Sequence, residues 1–459
     1  MNLPQPSSGV PASRCRQIAA LTAITVLNIA VLAIAVRGAA VWFLADGLGH
    51  DTDGYRAVAQ SLLDHGDFLR DGRPTAWRPP LYPLLLAKLL WIAEHLPTTD
   101  VDRTFVFLVG LTQVVCGALT VLLVTRLGWR LGLGRWSLLA AALVTCDPLL
   151  VHQSAQLMTE TLATLLAVLA WSLFDSFLEV STGARHNGLT SPSPRPRLQA
   201  TALGLSLGLA TLCRPTFLPW VALLLLWLAW WAARQSNFAR VAMVAAAVAL
   251  TLAPWAIRNW IEIGRPIVTT THGGYTLLLA NNQRFYDWTR DGAWGTVWDS
   301  REFVDDWLAR KQAAGIENEV DEDRLARQLA LKTMRADPAG FARATGVRLG
   351  RFWSLSPHTT AHTAGHPARL ELASTRWLIA SWYLAEFAMA LGGLAAVASG
   401  RNRATWLAGV LLVVVLSVVH SVYWSDLRMR APAMPVIALL AAAGAGRLLP
   451  RRAVASERA

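Results

Sequence analysis

The chain has 459 residues, of which 54% are hydrophobic and only 16% charged. That is too little charge for a soluble domain of this length, and it places most of the chain in lipid. The net charge of +12 comes almost wholly from arginine, since Lys88, Lys311 and Lys332 are the only lysines; no basic stripe with interleaved aromatics points to nucleic acid.

Arg14 and Arg16 precede an apolar run ending at Val36. The run is long for a signal-peptide core and no clear cleavage site follows, so it reads as a retained signal-anchor. A span needs about 20 apolar residues. Ten runs read as spans, at about 17–36, 103–125, 136–151, 160–180, 199–213, 215–233, 240–257, 374–399, 404–423 and 432–448. An eleventh stretch, 79–96, decides the orientation of the rest. If it lies along the interface, the loops carrying Arg126, Arg130 and Arg135, then Arg185, Arg195 and Arg197, then Arg234 and Arg240 are all cytoplasmic, as the positive-inside rule prefers. Pro79, Pro80 and Pro83 at its start, with Lys88, Glu94 and His95 later, fit an amphipathic surface helix.

The expected fold is therefore an all-α polytopic membrane protein. It has about ten transmembrane helices, interfacial helices on the outer face and a small helical extracytoplasmic segment. Residues 1–16 and 449–459 are cytoplasmic tails, and 17–257 is a transmembrane module that includes the outer loop 37–102. Residues 258–373 form the extracytoplasmic segment, helical over about 321–353, and 374–448 hold the last spans. Residues 181–198 read as a solvated linker. The span middles read as nearly pure apolar, with charge collected at the outer ends. Cys15, Cys116, Cys146 and Cys213 show no CxxC spacing and no disulfide framework.

The chemistry-bearing residues gather at the outer face. Asp51 and Asp53 follow the first span, and Tyr55, Ala59, Leu62 and Leu63 then recur at helical spacing. An aspartate there serves as a helix cap, as a hydrated loop residue or as a general base. Arg78 stands before a proline-stiffened stretch containing Tyr82. Arg258, Arg428 and Arg430 also fall near the outer face, where Arg428 and Arg430 run against the positive-inside trend. For Arg258 and Arg214, interfacial snorkelling is an equal reading. Glu160 sits at the outer end of a span, either as an ordinary helix-start residue or as a contact to a metal, a sugar hydroxyl or an arginine. A divalent metal therefore stays open as a cofactor. His358, His362 and His366 recur every four residues, but Pro357, Gly365 and Pro367 break a regular helix there, and the stretch reads as a surface loop. Many of the 21 tryptophans lie near span ends as interfacial anchors; Trp77, Trp288, Trp294 and Trp298 fall in outer segments.

The string Asp51-Thr52-Asp53-Gly54-Tyr55 is followed by Leu62-Leu63-Asp64-His65-Gly66-Asp67-Phe68 and by Arg78-Pro79-Pro80-Leu81-Tyr82-Pro83. It resembles membrane glycosyltransferases of the GT-C fold, in the broad group holding protein O-mannosyltransferases and lipid A aminoarabinose transferases. Pro254-Trp255-Ala256-Ile257-Arg258-Asn259, Gly273-Gly274-Tyr275 with Asn281-Asn282, and Arg428-Met429-Arg430-Ala431-Pro432 extend the likeness over about 17–448. The resemblance implies an inverting hexosyl- or pentosyltransferase of the cell (inner) membrane. One sugar passes from a polyprenyl-phosphate donor to a hydroxyl of a protein, lipid or polysaccharide, on the extracytoplasmic side. The family's catalytic acid, four residues before the aromatic, falls on Asp51. Where the family often has Asp-Glu this chain has Asp51-Thr52 with Asp53 one place later, so the base lies between Asp51 and Asp53. The family's cation ahead of Pro-Pro falls on Arg78. A phosphate leaving group needs no general acid, so one carboxylate suffices, while arginines neutralise the departing charge. A transporter or lipid flippase is the alternative, and it would place ionisable residues deep in its spans.

The orientation has a direct test. In intact cells, Thr99→Cys is expected to react with a membrane-impermeant thiol reagent; labelling only after the membrane is breached would make 79–96 a span.

Overall fold

The computed structural model describes residues 12–182, 196–235, 238–292, 298–357, 373–398 and 402–448, and these residues are almost all helical. Residues 1–11 and 449–459 of the expected tails, most of the 181–198 linker, Trp294 and the three histidines His358, His362 and His366 lie outside the described residues, while residues 12–16 open the first helix, Ala12–Phe43. Among the described residues, eight helices are long and apolar enough to cross a membrane. They are Ile24–Phe43, Val101–Arg130, Glu160–Glu179, Pro215–Arg234, Phe238–Ile263, Ser374–Ala395, Arg403–Val422 and Leu427–Leu448. The chain is a multi-pass integral membrane protein.

The two remaining expected spans take other forms. Residues 136–151 are split: the helix Trp136–Cys146 has 11 residues, and a second short helix, Pro148–Gln153, starts immediately after Asp147. Proline fits a first helical turn but cannot continue a preceding one, and the Asp147 carboxylate caps the new helix by accepting from the Leu150 amide at 2.9 Å. Residues 199–213 belong to the helix Pro196–Cys213, whose opening Arg197 and Gln199 dilute its apolar character. It packs between Glu160–Thr182 and Phe238–Ile263.

The stretch 79–96 forms the helix Leu81–His95, with 15 residues. At 1.5 Å per residue that is about 22 Å, short of the ~30 Å hydrocarbon core. It buries Tyr82, Leu86 and Leu90 in a cluster with Tyr55, Phe105 and Val109. Ahead of it, Leu69–Arg70 and Arg73–Pro74 pair antiparallel, with Leu69 opposite Pro74. Asp71 and Gly72 between them both have positive φ (52° and 73°), the Asp-Gly turn that a two-residue hairpin requires.

The helix Phe238–Ile263 continues past 257 and carries Arg258 in its last turns. Five helices then make a unit with its own core: Gly273–Ala280, Gln283–Asp291, Arg301–Ala313, Glu319–Ala336 and Pro338–Phe352. Leu278, Phe285, Tyr286, Trp298 and Trp307 are buried within it. Asn282, Asn318 and Asp337 cap three of these helices through their side-chain oxygens. Buried Arg348 donates to the Ser421 carbonyl at 2.8 Å and to the Ala280 carbonyl at 2.5 Å, joining this unit to the end of the span Arg403–Val422.

The spans are not purely apolar inside. Glu386 lies within Ser374–Ala395 and is 1% exposed; Arg37 and Asp147 are each 1% exposed and Arg430 is 0% exposed. These groups are buried because they find polar partners. Arg37 donates to the Val144 carbonyl, and the Tyr383 hydroxyl donates to Asp147. Small residues allow the closest helix contacts. A Cβ on Gly444 would lie 2.0 Å from the Met389 carbonyl oxygen, and one on Gly393 would lie 1.9 Å from that of Leu440.

Since backbone blocks that space, Gly444→Ala forces the last span away from Ser374–Ala395. A loss of about 1–3 kcal/mol is expected, read as a lower Tm in detergent. Gly346→Ala, where nothing lies within 4 Å of the new methyl, is the matched control and should not lower Tm. Equal melting of the two variants would refute the contact.

Candidate active site

The site begins in the turn after the first span. Gly54 adopts φ +72°, and a Cβ there would lie 3.1 Å from the Trp77 ring, so both the backbone and the space call for glycine. This turn starts the helix Tyr55–His65. Asp51 Oδ2 accepts from the Ala57 amide at 2.9 Å, capping the first helical turn. Its Oδ1 is buried with no hydrogen-bond partner among the described residues.

Asp53, two residues on, faces guanidiniums. Its carboxylate lies 3.4 Å from Arg78 Nη2 and 3.1 Å from Arg428 Nη1, and Arg78 Nε donates to the Asp53 carbonyl at 2.8 Å. Burial works against the charge on Asp53, but Arg428 and Arg78 outweigh it and hold the carboxyl below its usual range. Arg78 also sits over the Tyr55 ring at 5.1 Å and the Trp77 ring at 4.0 Å. Tyr55 meets Tyr82 edge-on at 5.2 Å.

Arg428 continues the network. The same Nη1 is 3.4 Å from Glu160 Oε1 and 3.0 Å from Met158 Sδ. Glu160 opens its span and is 1% exposed, and its Oε2 has no hydrogen-bond partner among the described residues. On the other side of Glu160 Oε1, Arg214 Nη1 approaches to 3.4 Å, while Arg214 Nη2 donates to Met429 Sδ at 2.8 Å. Asp53, Tyr55, Arg78, Glu160 and Arg428 therefore form one contiguous cluster, with Tyr82 behind Tyr55.

Two of the expected phosphate ligands belong to other networks. Arg258 Nε and Nη2 donate to Asp67 at 2.9 and 2.6 Å, and Nη1 donates to the Thr75 carbonyl at 2.8 Å. It holds the loop 67–75 in place. Arg430 donates to the Phe352 and Ser354 carbonyls and lies over the Tyr383 ring at 4.3 Å, inside the bundle.

The five-helix unit fastens the loop that carries Arg78. Glu319 accepts from Thr75 Oγ1 and from the Ala76 amide, each at 2.6 Å, and the Thr271 amide donates to the Ala76 carbonyl at 3.0 Å. Trp77 Nε1 donates to His272 Nδ1, so the neutral imidazole carries its proton on Nε2. Burial, with the charge of Arg78 beside it, pushes His272 down to about 3.

Arg214, His272 and Glu319 are the residues that sequence reasoning passed over as site residues. Arg214 alone left a trace, as an arginine at the outer end of a span followed by Pro215. Among the described residues, no three His, Cys, Asp or Glu side chains converge as a metal-binding set. Asp53 and Glu160 are met by arginines instead.

Neither a protein-family model nor a curated protein sequence matches this chain. Several solved structures resemble it, two of them as follows. The archaeal oligosaccharyltransferase AglB from Archaeoglobus fulgidus, solved with an inhibitory peptide and a dolichol-phosphate, superposes over 92% of this chain with a TM-score of 0.52 at 14% identity. This chain spans 50% of the length of AglB. ArnT from Cupriavidus metallidurans, solved bound to undecaprenyl phosphate, aligns over 91% of this chain and 77% of its own length, at 14% identity and a TM-score of 0.40. The likeness to AglB establishes the fold: this chain has the GT-C architecture of membrane glycosyltransferases.

His272 provides a pH test. The folded protein keeps it neutral down to about pH 3, whereas an ordinary histidine takes up a proton below about 6.5. The unfolded state therefore binds more protons in that interval, and stability falls as pH drops from 6.5. The Tm of the wild type should fall more steeply than that of His272→Gln between pH 6.5 and 4. Parallel curves would place His272 in a solvated setting.

Proposed function

We propose that this chain is a glycosyltransferase that moves one sugar from a polyprenyl-phosphate donor to a hydroxyl acceptor on the extracytoplasmic face, with inversion at the anomeric carbon. The observation that carries this reading is the run of alternating charges Arg78–Asp53–Arg428–Glu160 at the ends of apolar helices. Guanidiniums placed there meet the phosphate of a lipid whose tail stays in the membrane. The shared fold supports the lipid-linked donor, since AglB was solved with a dolichol-phosphate.

In this reading Asp51 is the base and Asp53 is the anchor. Asp53 is acidified by two guanidiniums and holds a proton poorly, whereas Asp51 makes no ion pair among the described residues and has one carboxylate oxygen unengaged. Arg78 and Arg428 take the phosphate. Arg258 and Arg430 support them from behind, the first by fixing the loop through Asp67 and the second by fixing the turn Leu427–Ala433. Glu160 sets Arg428 and offers Oε2 to a sugar hydroxyl. Tyr55 and Tyr82 form the floor beneath Arg78. A single displacement assisted by one base inverts the anomeric centre, and the phosphate leaves as an anion without protonation. Asp53 and Glu160 are the carboxylates that a divalent cation would use if one binds with the donor.

The transporter or flippase alternative draws on the buried groups Asp147, Glu386 and Arg430. Tyr383 donates to Asp147, and the Phe352 and Ser354 carbonyls accept from Arg430. Such bonds fit a clasp between helices better than a transport path.

The test is release of free polyprenyl phosphate by purified protein given a panel of polyprenyl-phosphate sugars and an envelope extract as acceptor. Asp51→Asn is expected to lower release at least ~100-fold with an unchanged elution profile and Tm. An active Asp51→Asn beside a dead Asp53→Asn would move the base to Asp53. No release by the wild type from any donor would sink the reading in favour of transport.

A further inference from the structure

Arg214 has no part in the transfer as just described, yet it is set into the same charge network. It is 9% exposed, and its Nη1 lies 3.4 Å from Glu160 Oε1 without a hydrogen bond to any described residue. Arg428 Nη1 flanks the same oxygen, also at 3.4 Å. Arg214 Nη2 spends its donor on Met429 Sδ at 2.8 Å, while Arg428 Nη1 touches Met158 Sδ at 3.0 Å and also donates to Asp53 at 3.1 Å and to Glu160 at 3.4 Å. Sulfur is a weak acceptor that an anionic oxygen readily replaces. Glu160 Oε2, in a side chain 1% exposed, is unpartnered as well. Buried polar groups are nearly always satisfied, so the two unpartnered atoms, Arg214 Nη1 and Glu160 Oε2, point to a polar ligand.

Charge identifies that ligand, on the reading that the donor is a lipid phosphate. Within ion-pair distance Arg78, Arg214 and Arg428 face Asp53 and Glu160, an excess of one positive charge. A sugar–phosphate–lipid diester carries one negative charge. As the acceptor oxygen bonds to the anomeric carbon, the bond from that carbon to the phosphate oxygen breaks and its electron pair stays on the phosphate. The acceptor proton passes to the aspartate. The lipid phosphate is now a monoester carrying about −1.5 to −2 at neutral pH.

We infer that Arg214 is the donor held for this extra charge: it binds the leaving phosphate as the bond breaks, and it makes the site bind the lipid monoester product more tightly than the diester donor. Arg78 and Arg428 bind both, while Arg214 separates one from the other. Interactions that strengthen only as charge develops raise kcat and leave KM little changed.

The experiment compares undecaprenyl phosphate with its methyl ester, a diester, by displacement of labelled undecaprenyl phosphate from the full-length protein in detergent. The wild type is expected to prefer the monoester about tenfold, Arg214→Gln twofold or less, and Arg214→Lys an intermediate amount, as a charge without the planar fork. In transfer assays Arg214→Gln should lose about 100-fold in kcat with KM for the donor within about threefold. A preference kept in Arg214→Gln, or a loss confined to KM, overturns the inference. So does a wild type that binds the two lipids equally, which decides the matter even if the variant does not fold. A wild type that binds neither lipid and releases no phosphate shows instead that the donor reading has failed.

Discussion

Five charged side chains meeting at the ends of apolar helices are the constraint on which the rest of this structure depends. Arg78, Asp53, Arg428, Glu160 and Arg214 follow one another at 3.1 to 3.4 Å, and every carboxylate lies between two guanidiniums. Taking any one of these charges out of water alone is expensive, and the cost is met only if its partners are in place. The loop after the first span, the head of Glu160–Glu179, the break at Arg214-Pro215 and the turn Leu427–Ala433 therefore fix one another's positions. No single helix owns the site.

The five-helix unit extends that logic. Glu319 and Thr271 bind the loop from one side, and Arg258 binds it through Asp67 and the Thr75 carbonyl. The segment carrying Trp77 and Arg78 is thus held from several directions before any ligand arrives. Preorganised donors of this kind need no rearrangement when charge develops nearby. The interior groups Asp147 and Arg430 play a different part: through Tyr383 and through the Phe352 and Ser354 carbonyls they tie separate segments together.

Much of the architecture was legible in the sequence because hydrophobic length is a direct physical requirement of a bilayer. The two runs that are not among the eight long apolar helices show the limit of that signal. Pro148, only two residues after the helix ending at Cys146, divides an apolar run that hydropathy alone reads as continuous, and Arg197 with Gln199 dilutes another. Glu386 was missed because one acid in a long apolar run is averaged away. At the site, Asp51, Asp53 and Arg78 were visible as a compact motif. Arg214 was not, since an arginine at a span end reads equally well as snorkelling until its contact with Glu160 is seen. Glu319 sat inside an acidic run, and only its position against Thr75 and Ala76 separates it from its neighbours.

The pairing of Asp53 with Arg428 joins residues 375 positions apart. A ribosome that has delivered the first span and its loop into the membrane must therefore make nearly all of the remaining protein before Asp53 receives its second guanidinium. Throughout that interval the carboxylates lack part of their neutralising charge and stay hydrated at the surface. Maturation of the site is thus tied to insertion of the final helix, and a nascent or truncated chain holds its loop motif without the assembled centre.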